Sequence, residues 1–241
     1  MTTTVPVPEP AQVLIKVLAF GMNRAGTVYY SVLPAFPAQK SHSRNAQAAG
    51  TLSNVQVPCI IGTEVVGRIV ADAAGDDATI PVDSLVATCM GGLGAKFLDH
   101  IGLDPATVAA PPEMLQTTYE SLAQALDLQS GDSLLIAALR ASMNWQLSSW
   151  PTQFDKCLEL TGTKTSKDSI LCVKLRRTVC MTGIQGGERT AADFSPITEL
   201  PPRRRLLSYG GDEHDFISMP WETLVAAVED GKITIPVHRF Q

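Results

Sequence analysis

Glycine clusters that follow apolar segments are the residues of this chain best suited to chemistry with a phosphate group. Backbone N–H groups at the start of a helix bind phosphates, and glycines let the backbone come close. Two clusters follow predicted strands, GGLG at Gly91–Gly94 and TGIQGG at Thr182–Gly187. Neither has the GxGxxG spacing of a dinucleotide-binding loop, and Glu188 after the second would repel a phosphate. The pattern therefore favours ordinary turns at both places.

In a nucleotide-binding α/β protein, a glycine-rich phosphate loop would follow an apolar strand such as Leu134–Leu139. Here the strand is followed instead by Arg140, Ser142, Asn144 and Trp145. The basic run Arg203–Arg205 could meet a phosphate, although runs of charge are usually solvated faces. The residues alone therefore provide no recognisable phosphate-binding loop.

Cysteines and histidines are the other residues that could do chemistry here, as zinc ligands. A structural zinc site needs four closely placed ligands, and a catalytic site needs three plus water. The cysteines form no CxxC pair, and the histidines stand apart from one another. These residues are Cys59, Cys89, Cys157, Cys172, Cys180, His42, His100, His214 and His238. We predict no metal site and expect the cysteines to be small buried hydrophobes with reduced thiols.

Composition and charge exclude several classes of protein. The 241 residues are 45% hydrophobic and 18% charged, which is typical of a globular chain with a sizeable core. The net charge of -5 disfavours nucleic acid and anionic membrane surfaces as partners. No secretory leader or membrane-spanning run is recognisable, so we expect a cytoplasmic protein.

Short strands come first along the chain, and an alternation of strands and helices follows. The predicted strands are Gln12–Phe20, Glu64–Ala71, Asp83–Met90, Leu134–Leu139, Asp155–Leu160, Thr178–Ile184, Arg205–Gly211 and Ile233–Val237. Helices are predicted from Pro111, over Thr165–Leu175 and over Pro220–Gly231. The residues between Ala38 and Val57 lack periodicity and favour a surface loop. We expect an α/β protein with a β-rich part, divided near Ala110.

Six stretches, in this order, together resemble the medium-chain dehydrogenase/reductase superfamily, in its zinc-free quinone oxidoreductase branch. They are VLIKVLAFGMNRAGT, PCIIGTEVVGRIV, PPEMLQTTYESLAQALDLQSGDSLLI, FDKCLELTGT, TVCMTGIQGG and LLSYGGDEHDF with LVAAVEDGKITIPV. The resemblance implies a GroES-like β domain over residues 1–110. It implies a Rossmann-type parallel sheet over 111–241, truncated here and ending in a return strand. NADPH would be the cofactor, and quinones, enones or related carbonyls the substrates.

The resemblance also implies roles for particular residues. Asn23 matches an asparagine near the nicotinamide, and Thr118 and Tyr119 match a helix start that faces the cofactor, so the resemblance implies that these three residues are catalytic. The loop Thr182–Gly183–Ile184 would lie beside the cofactor, and Asn23 is otherwise a turn residue that bonds its own backbone. Zinc-dependent relatives carry a cysteine and a histidine where this chain has Asn23 and Thr63, so the resemblance also implies no zinc.

One departure from the family pattern changes the functional expectation. After SGDSLLI the family has a glycine-rich turn and two further strands, whereas this chain has only Arg140–Gln153 before the match resumes. Hydrogen bonds to charged groups contribute about 1.5–3 kcal/mol each, so losing two or three removes about 3–9 kcal/mol. A micromolar complex corresponds to about 8 kcal/mol. NADPH binding is therefore expected to be weak, and turnover is expected to be slow or absent.

Two alternatives follow from that departure. The chain is either an oxidoreductase or a non-catalytic remnant that binds a small molecule or a partner through its β domain. The missing segments also have the sharp edges that an incorrectly spliced gene model would produce. Removing strands from a parallel sheet exposes an edge, which a second copy of the chain in a homodimer would cover.

Overall fold

The structure is a computed structural model, and it divides the chain into two compact units. It describes residues 5–8, 12–22, 64–72, 81–89, 93–98, 102–138, 153–187, 190–191, 194–211 and 213–238. One unit comprises residues 1–116 and 212–241, and the other comprises 117–211. The sequence expectation assigned all of 111–241 to the second domain, whereas 212–241 groups with the first unit. Asn23, residues 38–57 and residues 139–152 lie outside the described residues.

Within the described part of the first unit, four strands form an antiparallel sheet. They are β1 (Val13–Phe20), β2 (Val65–Asp72), β3 (Leu85–Cys89) and β4 (Leu93–Phe97), in that spatial order. All five residues of β3 are buried, as its apolar run predicts. Gly67 in β2 lies against β1, because a Cβ there would be 2.3 Å from the Lys16 carbonyl oxygen. Glycine inside a strand often marks such a close approach of two backbones.

Short helices complete this unit. They are α1 (Pro105–Val108), α2 (Pro111–Tyr119, which crosses into the second unit), α5 (Glu213–Ser218) and α6 (Trp221–Glu229). The return segment is tied to the earlier chain, since the Gly102 N–H donates to Glu229 Oε1 at 2.6 Å. The rings of Phe216 and Trp221 pack edge to face at 6.0 Å. The predicted return strand Ile233–Val237 is wrong, since the structure gives these residues no strand pairing.

The second unit contains a parallel sheet of four described strands. They are β5 (Leu134–Ala137), β6 (Phe154–Glu159), β7 (Val173–Met181) and β8 (Arg205–Ser208), in the order of the chain. Helix α3 (Thr163–Leu171) connects β6 to β7, and the short α4 (Pro196–Glu199) precedes β8. Buried aliphatic residues and cysteines of these elements form its core, including Leu135, Cys157, Ile170, Val173 and Val179. The predicted α/β class with a β-rich part is confirmed.

The helix-to-strand boundary after α3 differs from the prediction. The helix ends at Leu171 and β7 already begins at Val173, whereas the sequence predicted a helix to Leu175. The ladder then breaks, because β7 advances from Val173 to Thr178 while β6 advances only from Phe154 to Lys156. This bulge hides the strand periodicity, since its residues do not alternate between buried and exposed.

None of the helices among the described residues has the length and hydrophobicity that a membrane span requires.

Candidate functional site

The carboxyl edge of the parallel sheet is the candidate site. In open α/β sheets, ligands bind outside the carboxyl ends of the strands, where the following loops converge. Here those loops begin at Ala138, Leu160 and Thr182. The predicted cofactor loop Thr182–Ile184 therefore follows β7 directly.

The loop after β7 is hydrogen bonded to the loop after β6. The amides of Thr182 and Gly183 both donate to the Glu159 carbonyl oxygen, at 3.0 and 3.1 Å. Further along, Gln185 N donates to Leu160 O at 2.9 Å and Gly186 N to Thr161 O at 2.7 Å. Four backbone amides of this loop are thus occupied by the chain itself.

Two glycines make this close approach possible. A Cβ on Gly183 would lie 2.4 Å from the Leu160 carbonyl oxygen, and one on Gly186 would lie 2.8 Å from that of Thr161. Real Cβ atoms do not come so close to a backbone oxygen, so neither position accepts a side chain without backbone movement. The geometry thus gives Gly183 a packing role, and its contact with a cofactor stays a prediction.

The Glu159 carboxylate, which sequence reasoning missed, occupies the start of helix α3. Its Oε1 accepts hydrogen bonds from Thr161 N at 2.7 Å, Gly162 N at 3.2 Å and Thr165 Oγ1 at 2.9 Å. Its Oε2 accepts from Ser169 Oγ. The side chain is fully buried, and these recorded donors are all neutral. Helix N-termini attract anions, and here the chain supplies its own.

A hydroxyl pair connects the predicted cofactor loop to the helix that carries the predicted catalytic residues. After Tyr119 the α2 backbone widens into a π-helical turn over Glu120–Ala125. Ser121 in this turn is fully buried, and its hydroxyl lies 2.9 Å from that of Thr182. π-helical turns inside α-helices are often found at functional sites. Thr118, whose side chain is exposed, and the half-buried Tyr119 lie just before this π-helical turn, at the end of α2 and not at a helix start as the resemblance implied.

The buried thiols of the parallel-sheet unit are held in their protonated form. Burial raises the pKa of Cys157 to about 12 and that of Cys172 to about 11. Burial also raises the pKa of Cys180, whose Sγ lies 3.4 Å from Thr182 Oγ1. Since the thiolate is the reactive form, none of the three is suited to act as a nucleophile.

Metal ligands do not assemble in the described regions. No group of three or more histidine, cysteine or acidic side chains lies close enough there to hold an ion. Two of the residues relevant to the zinc argument, Asn23 and Thr63, lie outside the described residues.

At the start of α3, the described part of the carboxyl edge has its donors already engaged. A diphosphate needs free backbone amides, and those of Thr161 and Gly162 are taken by Glu159. The described residues therefore do not fit a diphosphate in the way that a glycine-rich turn does.

Several solved structures of known proteins share this architecture. Neither a family model nor a curated protein matches the sequence. Among solved structures, the chain is similar to Escherichia coli quinone oxidoreductase complexed with NADPH, with a TM-score of 0.73 and 13% identity. That match covers 98% of this chain and 86% of the other.

Two further solved structures match over nearly the whole chain. Quinone oxidoreductase of Pseudomonas syringae pv. tomato DC3000 has a TM-score of 0.72 and 14% identity, covering 98% of this chain and 85% of the other. A 2-haloacrylate reductase has a TM-score of 0.66 and 15% identity, covering 95% and 83%. The chain therefore has the fold of the medium-chain dehydrogenase/reductase proteins, as its sequence resemblance predicted.

Proposed function

We propose that the chain is an NADPH-dependent oxidoreductase with a weakened hold on its cofactor. Quinones, enones or related carbonyl compounds, or the alcohols that correspond to ketones, would be its substrates. The observation that supports this most is the match over 98% of the chain to a quinone oxidoreductase solved with NADPH. NADPH, when bound, would supply the hydride, and the chain would bind and orient the reactants.

The proposed site residues are those that the resemblance implied, with one addition. Asn23, Thr118 and Tyr119 would lie near the nicotinamide and substrate, where hydroxyl and amide groups stabilise developing charge on a carbonyl oxygen. The loop Thr182–Ile184 would line the cofactor. Ser121 is added as a positioning residue, because its hydroxyl holds that of Thr182 at 2.9 Å.

Weak binding is expected because amides at this edge are already used. Losing two charge-assisted donors costs about 3–6 kcal/mol. Since a micromolar complex corresponds to about 8 kcal/mol, the dissociation constant for NADPH should be about 0.1 mM or weaker. The affinity should come mainly from the nicotinamide half of the molecule.

This expectation can be tested with the cofactor and its nicotinamide fragment. The purified chain is titrated with NADPH and with reduced nicotinamide mononucleotide, following nicotinamide fluorescence. We expect the two dissociation constants to agree within about tenfold, because the adenosine half adds little. Thr182→Ala should weaken both, whereas Thr198→Ala, at an exposed position in α4, should weaken neither. The absence of saturable binding of either compound would remove the proposal.

Turnover is measured separately, as NADPH oxidation in the presence of a quinone. A slow, saturable rate that Thr182→Ala reduces supports the oxidoreductase. Binding without any turnover of a quinone, an enone or a ketone would favour the second candidate.

The second candidate is a non-catalytic protein that binds a small hydrophobic molecule. The internal use of the edge amides and the carboxylate at the start of α3 favour it. It predicts that hydrophobic ligands raise Tm in the absence of cofactor, whereas a rise with NADPH alone contradicts it. We further propose a cytosolic location, with which the four free cysteines among the described residues agree.

A further inference from the structure

Basic side chains gather at the amino edge of the parallel sheet, opposite the candidate site. Two chain segments contribute them, the start of β7 and the start of β8. We call them the amino-edge cluster, which consists of Lys174, Arg176, Arg177, Arg203, Arg204 and Arg205. The segments are adjacent, since Arg176 N donates to Arg203 O at 2.6 Å and Arg204 Nε donates to Val173 O at 2.8 Å. The sequence showed the arginine run but not its union with the second segment.

The backbone presents these side chains at a cost. Lys174–Arg177 fills the bulge in which β7 advances five residues while β6 advances two. Arg176 and Arg203 both have left-handed backbone conformations, with φ of 65° and 60°. Such conformations favour glycine and are strained for residues with a long side chain. Strain of this kind gathers at functional sites, because packing alone would select glycine there.

The charge of the cluster is only partly balanced. Asp155 pairs with Lys174 at 2.8 Å and with Arg177 at 3.1 Å, and Asp132 lies 4.0 Å from Arg177. Within the described part of the chain, the exposed side chains of Arg176, Arg203 and Arg205 have no ion-pair or hydrogen-bond partner. A chain with a net charge of -5 thus carries a local excess of positive charge on this edge.

We propose that the amino-edge cluster docks an acidic segment of another polypeptide. Five of the six cations are arginines, whose planar guanidinium binds carboxylates in a bidentate fashion. Arginine is enriched and lysine depleted at protein interfaces. Leu175, which is 53% exposed between Lys174 and Arg176, adds an apolar contact of the kind such interfaces contain. The Asp155 pairs already show that carboxylates are accommodated at this edge.

A polypeptide fits these observations better than a nucleic acid or a membrane. Both of those present extended arrays of negative charge, which the net charge of the whole chain repels. An acidic peptide segment is short enough to contact the cluster alone. This docking surface is independent of the proposed oxidoreductase activity, because it lies at the other edge of the sheet.

The test measures binding of a labelled poly-glutamate peptide to the full chain by fluorescence anisotropy at low and at physiological salt. We expect saturable binding that weakens with salt. The triple variant Arg176→Gln, Arg203→Gln, Arg205→Gln should weaken binding by about tenfold or more. The matched control Lys16→Gln, Lys167→Gln, Lys232→Gln changes the net charge equally at other exposed sites and should retain wild-type binding.

A second variant separates recognition from structure. Arg176→Gly with Arg203→Gly relieves the left-handed strain, so Tm should rise while peptide binding weakens. A merely structural cluster would lose Tm and binding together, and that result contradicts the proposal.

Other outcomes are equally decisive. Absence of peptide binding, or equal losses in the control triple variant, overturns the proposal. So does tighter binding to anionic vesicles or to a short DNA duplex at the same salt. Self-association of the wild type, abolished by the arginine variant in sedimentation velocity, would identify a second copy of this chain as the occupant and overturn the acidic partner.

Discussion

Asp155 and Glu159 are buried carboxylates near the two ends of β6, and their recorded partners differ in charge. Glu159, at the carboxyl edge, accepts hydrogen bonds from backbone amides and hydroxyls. Asp155, at the amino edge, pairs with Lys174 and Arg177 and also accepts from Ser133. One carboxylate therefore acts as an internal anion at a helix start, and the other as a counterion for an exposed basic surface.

The two edges of the parallel sheet use their polar groups differently. At the carboxyl edge, where this fold usually holds its ligand, many donors are used within the chain. At the amino edge, the bulge of β7 holds more positive charge than the nearby carboxylates balance. The two edges of one parallel sheet therefore carry quite different polar chemistry.

Among the substitutions that test this difference between the two edges, Glu159→Ala should have the largest effect on stability. It leaves the amides of Thr161 and Gly162 buried without their acceptor, so the free energy of unfolding should fall by about 2–5 kcal/mol. Urea unfolding followed by circular dichroism measures this change. Glu222→Ala, at an exposed site in α6, should change stability little. An equally small effect at Glu159 would show that its hydrogen bonds are replaceable by water.

Gly183→Ala tests how tightly the two loops of the carboxyl edge pack. The added Cβ would meet the Leu160 carbonyl oxygen at 2.4 Å, so we expect a loss of about 1–3 kcal/mol. Gly210→Ala is the matched control, because a Cβ there meets nothing within 4 Å. Equal stability of the two variants in urea would mean that the loop after β7 moves freely away from the loop after β6.

Ser121→Ala should have a smaller effect, since it removes one neutral hydrogen bond. We expect a loss of about 0.5–1.5 kcal/mol, together with weaker NADPH binding if Ser121 positions Thr182. A double-mutant cycle with Thr182→Ala isolates the coupling between the two hydroxyls. Ser130→Ala, at an exposed site, is the control. Strictly additive effects of the two substitutions would refute the positioning role.

Asp155→Asn should have the smallest effect at neutral pH, because Lys174 and Arg177 are nearly half exposed and water can solvate them. Its effect should depend on pH. Hydrogen bonds from Lys174 and then Ser133 hold the pKa of Asp155 well below its usual range. The charged form is therefore favoured by folding, and its contribution is complete above about pH 5 and lost as the pH falls through about 3.9 and below.

Urea unfolding of the wild type and of Asp155→Asn at pH 7 and pH 3 checks this sign. The difference between the two proteins should shrink at pH 3. The exposed Asp230→Asn serves as the control. A difference that stays constant or grows on acidification would contradict the linkage.

Local patterns in the sequence predicted much of the fold. The β-branched and aliphatic run of β1 and the alternation of strands and helices after Ser130 are such patterns. Pro220 and Gly231 bracketed α6 in the same way, because proline is tolerated at a helix start and glycine readily adopts the left-handed conformation that follows a helix end. Elements that depend on distant partners were missed. β4 was interpreted as a glycine turn, and only the second half of β7 was predicted, because its bulge hides the periodicity of the first half.

The candidate site was predictable only in outline. Thr182 and Gly183 were found through the family resemblance, and the structure places both at the carboxyl edge. No local pattern in the sequence pointed to Ser121 or Glu159. A buried hydroxyl or carboxylate can be recognised only through its hydrogen-bond partners, which here lie far along the chain or across a turn. Their partners depend on tertiary packing, which hydrophobic periodicity does not encode.

The discontinuity of the first unit has a consequence for biosynthesis. Its last segment, residues 212–241, is synthesised only after the whole of 117–211 has been synthesised. The parallel sheet, whose strands pair with their chain neighbours, can assemble as the chain emerges. The N-terminal unit must wait for α5 and α6, so it is completed only after every strand of the parallel sheet has been made.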